Sequence, residues 1–183
     1  MSLSRWPWPW AWLGVAALLG ACASVPPSAV WHGDPLSGRL SVHVEGVDGA
    51  AARSMSSAFE LLGDANSGQL NLASPLGTVL ARASWSPGQV NLATPQGETR
   101  FADLDALTRE VLGESLPVAA LFDWLRGRPW PGAASRATTP PDEAGFHQLG
   151  WVVGLGRLDE AWVAAKREQP APAVTVRAKL DRP

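Results

Sequence analysis

Residues 69–94 read QLNLASPLGTVLARASWSPGQVNLAT, and this stretch decides the fold class. Leu70 and Leu72 share one parity of a short run from Gln69 to Ala73. Thr78 to Trp85 makes a second run, and Val90 and Leu92 repeat the alternation over Gln89 to Thr94. A period of two is the mark of a strand with one buried face. The connections are short and rich in turn formers: Ser74-Pro75-Leu76-Gly77, then Ser86-Pro87-Gly88. Proline presets the φ of a turn and glycine supplies positive φ. Strands joined by such short turns run antiparallel.

The pattern extends upstream. Leu40, Val42 and Val44 alternate with Ser41 and His43 in a strand that opens at Ser37 and stops at Gly46. Met55 to Leu62 is another, and Gly63-Asp64-Ala65-Asn66-Ser67-Gly68 turns the chain into the run at Gln69. Downstream the period lengthens. Phe101, Leu104, Leu107, Val111 and Leu112 mark one face of a helix, with Asp103 or Asp105 favouring its start and Gly113 closing it. Pro117 suits the first turn of a second helix, Val118 to Leu125, ended by Gly127. Arg128 to Ala144 reads as a loop. Phe146 to Leu155 reads as one strand with Leu149, Trp151 and Val153 on one parity. Glu160 to Arg167 reads as strand or short helix, and Val174 onward as a last strand. The expected class is mainly β (α+β): a curved antiparallel sheet with two helices inserted in its middle.

The N-terminus carries a different signal. Met1 to Arg5 is weakly positive, and an apolar, Trp-rich stretch follows, running roughly from Trp10 to Ala21. It is shorter than the roughly 20 residues that span a bilayer, so it fits a secretory signal core. It ends in Leu19-Gly20-Ala21-Cys22, which resembles a bacterial lipobox. Cys22 is the only cysteine, so a disulfide framework is excluded and a lipid attachment point explains the thiol. The expected division is a cleaved signal over 1–21, an acylated Cys22 with a Pro-rich tether over 22–36, and one domain over 37–183. Ala23 and Ser24, in place of Asp, point to the outer membrane, with the domain anchored at its periplasmic face through Cys22.

Composition bounds the chemistry. At 46% hydrophobic and 17% charged, the chain has enough apolar residues to build a core. The net charge of −2, with scattered Lys and Arg, leaves no basic stripe for nucleic acid. His32, His43 and His147 are isolated, with no metal-ligand spacing. A Gly-x-Ser-x-Gly elbow is absent, and Gly154-Leu155-Gly156 is a mere fragment of a dinucleotide loop. No catalytic set, metal or cofactor is expected, and the domain is expected to be a monomer. Trp31, Trp85, Trp124, Trp130, Trp151 and Trp162 supply large apolar area after Cys22.

Four segments, in this order, carry a resemblance: Ser37-Gly38-Arg39-Leu40, Leu72-Ala73-Ser74-Pro75-Leu76-Gly77, Leu125-Arg126-Gly127-Arg128-Pro129 and Gln148-Leu149-Gly150-Trp151. Together with the lipobox they resemble the outer-membrane lipoprotein receptor family LolB. The resemblance implies an incomplete antiparallel β-barrel of about eleven strands, with helices covering an apolar cavity. It implies a receptor that accepts acylated lipoproteins from the periplasmic carrier LolA and inserts them into the inner leaflet of the outer membrane without ATP. The partners implied are LolA, the acyl chains of cargo lipoproteins and outer-membrane phospholipid. Pro75, Leu76 and Gly77 match the family's protruding loop, so Leu76 is the expected membrane-insertion residue. Candidates to line an acyl-chain cavity are Phe59, Leu61, Leu70, Leu72, Leu80, Trp85 and Leu92 on strands. Leu107, Val111, Leu121, Trp124 and Leu125 on the helices join them, with Trp151 and Val153 near the C-terminus. An interaction module on the same fold, without lipid transfer, is the competing reading; a filled core and a polar loop tip would favour it.

Overall fold

Alternating burial organises most of the chain into strands, and the computed structural model describes residues 34–181 except Asp48. Cys22, Trp31, His32, the signal segment and most of the tether lie outside those residues. β1 (Leu36–Val44) and β2 (Arg53–Gly63) bury alternate residues, and β3 (Gly68–Ala73), β4 (Val79–Ser86) and β5 (Gln89–Thr94) continue the meander. β6 (Gly97–Phe101) completes the first half. Phe101, expected on a helix face, therefore ends a strand: it pairs with Val90, and Gly97 with its φ of 141° opens a hairpin that the polar run Gly97-Glu98-Thr99-Arg100 conceals.

Two helices follow. α1 (Leu104–Leu112) starts where the Asp103 side chain accepts a hydrogen bond from the Ala106 N–H at 2.7 Å. It stops at Gly113, whose φ of 82° is the left-handed cap a side chain resists. α2 (Val118–Trp124) begins after Pro117 and buries Ala120, Phe122 and Trp124.

The C-terminal half holds β7 (Ser135–Ala137), β8 (Gly145–Gln148), β9 (Trp151–Gly154), β10 (Trp162–Arg167) and β11 (Val174–Leu180). Two expectations are corrected here. The loop at 128–144 contains β7, an exposed edge strand with no apolar alternation. The single strand expected over 146–155 is a hairpin turning at Leu149 and Gly150, with Gln148 paired to Trp151. The ambiguous segment at 160–167 resolves into a short 3₁₀ turn, Leu158–Glu160, followed by β10.

All strands form one 11-stranded sheet in the order β6-β5-β4-β3-β2-β1-β11-β10-β9-β8-β7. Every pairing is antiparallel, and the first and last strands of the order do not pair, so the barrel is incomplete. Following the strand directions, the β1–β2, β3–β4, β5–β6, β8–β9 and β10–β11 connections share one end of the sheet, called the rim below. Among the described residues no helix is long and apolar enough to cross a membrane.

α2 bridges the two walls of the half-barrel. Phe122 meets Trp85 of β4 edge-on, with ring centroids 5.6 Å apart, while Trp124 packs on Phe146 and Trp151 of β8 and β9 at 6.4 and 6.0 Å. Trp124 is fully enclosed, and its indole N–H donates to Gln148 Oε1 at 2.7 Å. The same oxygen accepts from the Trp130 N–H, and the Gln148 amide donates to the carbonyls of Trp130 and Ala133. A buried amide with all its partners supplied holds α2, the 130–133 loop and β8 together.

Candidate functional site

The interior is filled unevenly. Tryptophans pack its β4, β8 and β9 side solidly, whereas the side formed by β1, β2 and β3 is lined by branched aliphatics and roofed by α1. There a cavity with about 100 Å³ of free space remains. Of the residues expected to line it, Phe59, Leu61, Leu70 and Leu72 on strands face it. From the roof Leu107, Val111, Leu121 and Leu125 do the same. Leu40, Val42, Met55, Leu112, Leu116 and Val118 also line it, and were missed. Leu40, Val42 and Met55 were within reach of sequence reasoning, because they share the inward parity of β1 and β2.

Trp85, Trp124, Trp151 and Val153 do not line the cavity; they are core, each no more than 4% exposed. Leu92 is half-buried against that core. Leu80 lies elsewhere. Ala73 pairs with Val79 while Leu72 pairs with Ala81, so Leu80 is the extra residue of a β-bulge. The bulge breaks the alternation, and the consecutive Val79 and Leu80 are both exposed, at 49% and 45%.

Thr108 is the single polar side chain in the lining of fifteen residues, and its hydroxyl is occupied. It donates towards the carbonyls of Leu104 and Asp105 and accepts from the Leu116 N–H at 3.0 Å. The cavity thus offers an apolar ligand no unpaired side-chain polarity. Val111, 44% exposed, is lining and surface at once, and a second, smaller pocket of about 80 Å³ shares Val42, Met55, Val111 and Leu112 with the cavity and reaches Val44 and Arg53 at the rim. The resolved pKa shifts belong to exposed pairs outside the cavity. The hydrogen bond to Glu168 raises the Lys166 ammonium above its ordinary value and lowers the Glu168 carboxyl, and Glu160 raises Arg157 likewise.

The roof is also tied to the floor. Arg167 on β10 bonds Glu114, in the linker between α1 and α2, at 2.7 Å, and its guanidinium lies over the Trp151 ring.

Next to the cavity wall is the β3–β4 hairpin. Gly77 N–H donates to the Ser74 carbonyl at 2.9 Å, Ser74 N–H to the Thr78 carbonyl at 2.8 Å, and Thr78 N–H to Ser74 Oγ at 3.2 Å. Pro75 occupies the second turn position, and Gly77 takes a φ of 82°. This leaves Leu76 at the tip with 94% of its surface in solvent. An aliphatic side chain so placed buries nothing within its own domain.

Among the described residues no group of three His, Cys, Asp or Glu is arranged to hold a metal. His43 and His147 sit on the outward parity of β1 and β8, His43 beside the Ser54 hydroxyl at 2.7 Å.

An open antiparallel half-barrel, roofed by helices over an apolar cavity and tipped by an exposed leucine, defines the class to which this molecule belongs. The family model for outer membrane lipoprotein LolB matches residues 35–175. The chain is 33% identical over 180 residues to the outer-membrane lipoprotein LolB of Bordetella petrii, covering 93% of this chain and 90% of the relative. It is 37% identical over 175 residues to that of Cupriavidus necator, covering 86% and 82%, and 31% identical over 189 residues to that of Bordetella pertussis, covering 98% and 94%. The chain belongs to the LolB family.

Proposed function

We propose that the chain is an outer-membrane lipoprotein receptor that accepts acylated lipoproteins from the periplasmic carrier LolA and inserts them into the inner leaflet of the outer membrane. Three acyl chains carry about 45 methylenes, and exposing them to water costs some 36 kcal/mol at about 0.8 kcal/mol each. Transfer between membranes therefore requires an apolar shelter at each step. The observation that carries the proposal is the pairing of an apolar cavity with an exposed apolar tip on one hairpin: β3 contributes Leu70 and Leu72 to the cavity wall and continues directly into Leu76. The competing interaction-module reading called for a filled core and a polar tip.

The residues take separate roles. Cys22 carries the lipid that holds the protein at the periplasmic face of the outer membrane, residues 22–36 tether it, and 37–183 form the working domain, which acts as a monomer. The signal at 1–21 is removed. The cavity holds acyl chains. At about 100 Å³ it is smaller than the roughly 300–1,000 Å³ of ordinary ligand pockets, so α1 and α2 must move outward to admit a chain. Leu76 enters the bilayer and places the cargo there. No step needs catalysis or ATP: each transfer moves the chains to a surface that holds them better, and the bilayer is the last.

The test is a transfer assay with the purified mature domain, LolA loaded with an acylated lipoprotein, and liposomes, without ATP. Cargo should pass to the domain and then to the liposomes. Cargo that stays on LolA while the domain is folded would overturn the proposal. Leu76→Glu should still accept cargo but fail to insert it, because a carboxylate in hydrocarbon is costly. Equal insertion by the variant and the parent would remove that role from Leu76.

A further inference from the structure

Leu149 is out of place on two counts. It sits at φ 52° and Gly150 at φ 78°, so the β8–β9 hairpin closes through a two-residue turn with both φ values positive. Asparagine or glycine fits the first position of such a turn; a leucine there meets its own backbone. Leu149 is also 46% exposed, and Val152, three residues on, is 42% exposed. The residue gains neither relaxed backbone nor full burial. Strain of this kind, held at an exposed apolar tip, points to a use outside the folded domain.

Its position supplies the use. β3 and β8 both run towards the rim, so Leu76 and Leu149 cap hairpins at the same end of the half-barrel. In the sheet order, β2, β1, β11 and β10 separate those hairpins. At about 4.8 Å per strand the two tips stand roughly 29 Å apart around the rim. Two of the cations near the second tip are paired: Arg167, over the Trp151 ring, with Glu114 at 2.7 Å, and Lys166, opposite Val152, with Glu168 at 2.6 Å, while Arg136, opposite His147, stays exposed on β7. A hairpin with paired charges beside it is cheaper to bring against hydrocarbon than one with free charges. The tether between Cys22 and β1 extends at most roughly 45 Å, at about 3.5 Å per residue, which keeps the domain beside the bilayer.

We infer that Leu149 is a second membrane-contacting tip: the domain docks on the bilayer through Leu76 and Leu149 on opposite walls of the rim. A single tip leaves the domain free to pivot about it. Two tips fix the rim, and with it the smaller pocket at Val111 and Arg53 beside the cavity, facing the lipid. The inference rests on the lipid-delivery reading and extends it to a residue on the far wall.

The test uses the mature chain with Cys22→Ala, which leaves no cysteine, because Cys22 is the only one. Leu76→Cys, Leu149→Cys and Asp159→Cys then place one environment-sensitive fluorophore at each tip and, as control, in the 3₁₀ turn at the opposite end. Vesicles of phosphatidylethanolamine and phosphatidylglycerol should shift the emission to the blue at 76 and 149 and leave 159 unchanged. Separately, Leu149→Asn should raise the Tm by about 4 °C, because it relieves the turn. It should also weaken vesicle binding about tenfold, the loss of one leucine's burial. A blue shift at 76 with none at 149 overturns the second tip and leaves the delivery reading standing. A shift at 149 that appears only on adding LolA makes it a protein contact and overturns the lipid assignment. No shift at either tip overturns this inference, and the transfer assay then decides the delivery reading separately.

Discussion

At the residue scale, three positions separate stability from function. Leu76 touches little of its own domain, so Leu76→Glu should change unfolding free energy by less than about 0.5 kcal/mol. Urea denaturation showing a larger loss would mean that the side chain packs. Gln148 is the opposite case. It is 3% exposed and serves Trp124, Trp130 and Ala133 together. Gln148→Met removes four hydrogen bonds and strands an indole N–H, and should cost about 3 kcal/mol in the same measurement. Ser57 gives a third test. Its hydroxyl is buried with no partner among the described residues, on the inward parity of β2 between Met55 and Phe59. Ser57→Ala should therefore be neutral or stabilising by up to about 1 kcal/mol; a clear loss of stability would show that the hydroxyl is bonded.

At the element scale, the ends of α1 set the roof. Asp103→Ala removes the side-chain cap on the Ala106 N–H and should cost about 1 kcal/mol. Gly113→Ala should cost at least as much, since φ is 82° there and a Cβ would lie 2.7 Å from Arg53 Nη1. Hydrogen exchange along α1 in either variant should quicken more than exchange in β1 and β11. Uniform quickening would show that the roof and sheet open as one unit. The strands were legible wherever one face is buried: β1 to β3, β5 and the part of β4 beyond its bulge follow their alternation. β6 and β7 were not, because edge strands with exposed residues on both faces carry no period. The β8–β9 hairpin was misread for a different reason. Leu149 keeps the parity of Trp151 and Val153 although it lies in the turn, and hydrophobicity alone cannot tell an inward leucine from one at a tip.

At the scale of the whole molecule, what matters is how the interior is divided. Trp85, Phe122, Trp124, Phe146 and Trp151 fill one side, and the aliphatic side under α1 stays partly empty. Leu121→Phe should occupy part of the roughly 100 Å³ void, leaving stability within about 1 kcal/mol of the parent while reducing acyl-chain uptake. Uptake measured with a fluorescent fatty acid and found unchanged would place the chains elsewhere. The Arg167–Glu114 bond belongs to this scale too, since it joins the helical linker to the sheet.

The sequence by itself determined the class of the molecule. Period-two alternation, turn chemistry and the helical interlude specify an antiparallel sheet with two inserted helices, because each is written in local spacing; the incomplete barrel followed from the resemblance that the four segments carry. Leu76 was named through the resemblance, by its match to the family's protruding loop; an aliphatic residue between Pro75 and Gly77 is unusual in a turn but does not by itself point outward. The tertiary structure alone decided which apolar residues fill the core and which leave space. Trp124 and Leu121 share one helix, yet only the three-dimensional arrangement puts the first against Trp151 and the second against a void. It alone turned Leu80 outward, through a register shift between β3 and β4 that depends on pairing and leaves no trace in composition. It also put Leu149 on the same rim as Leu76, since which hairpins share an end follows from strand order and direction, properties of the assembled sheet.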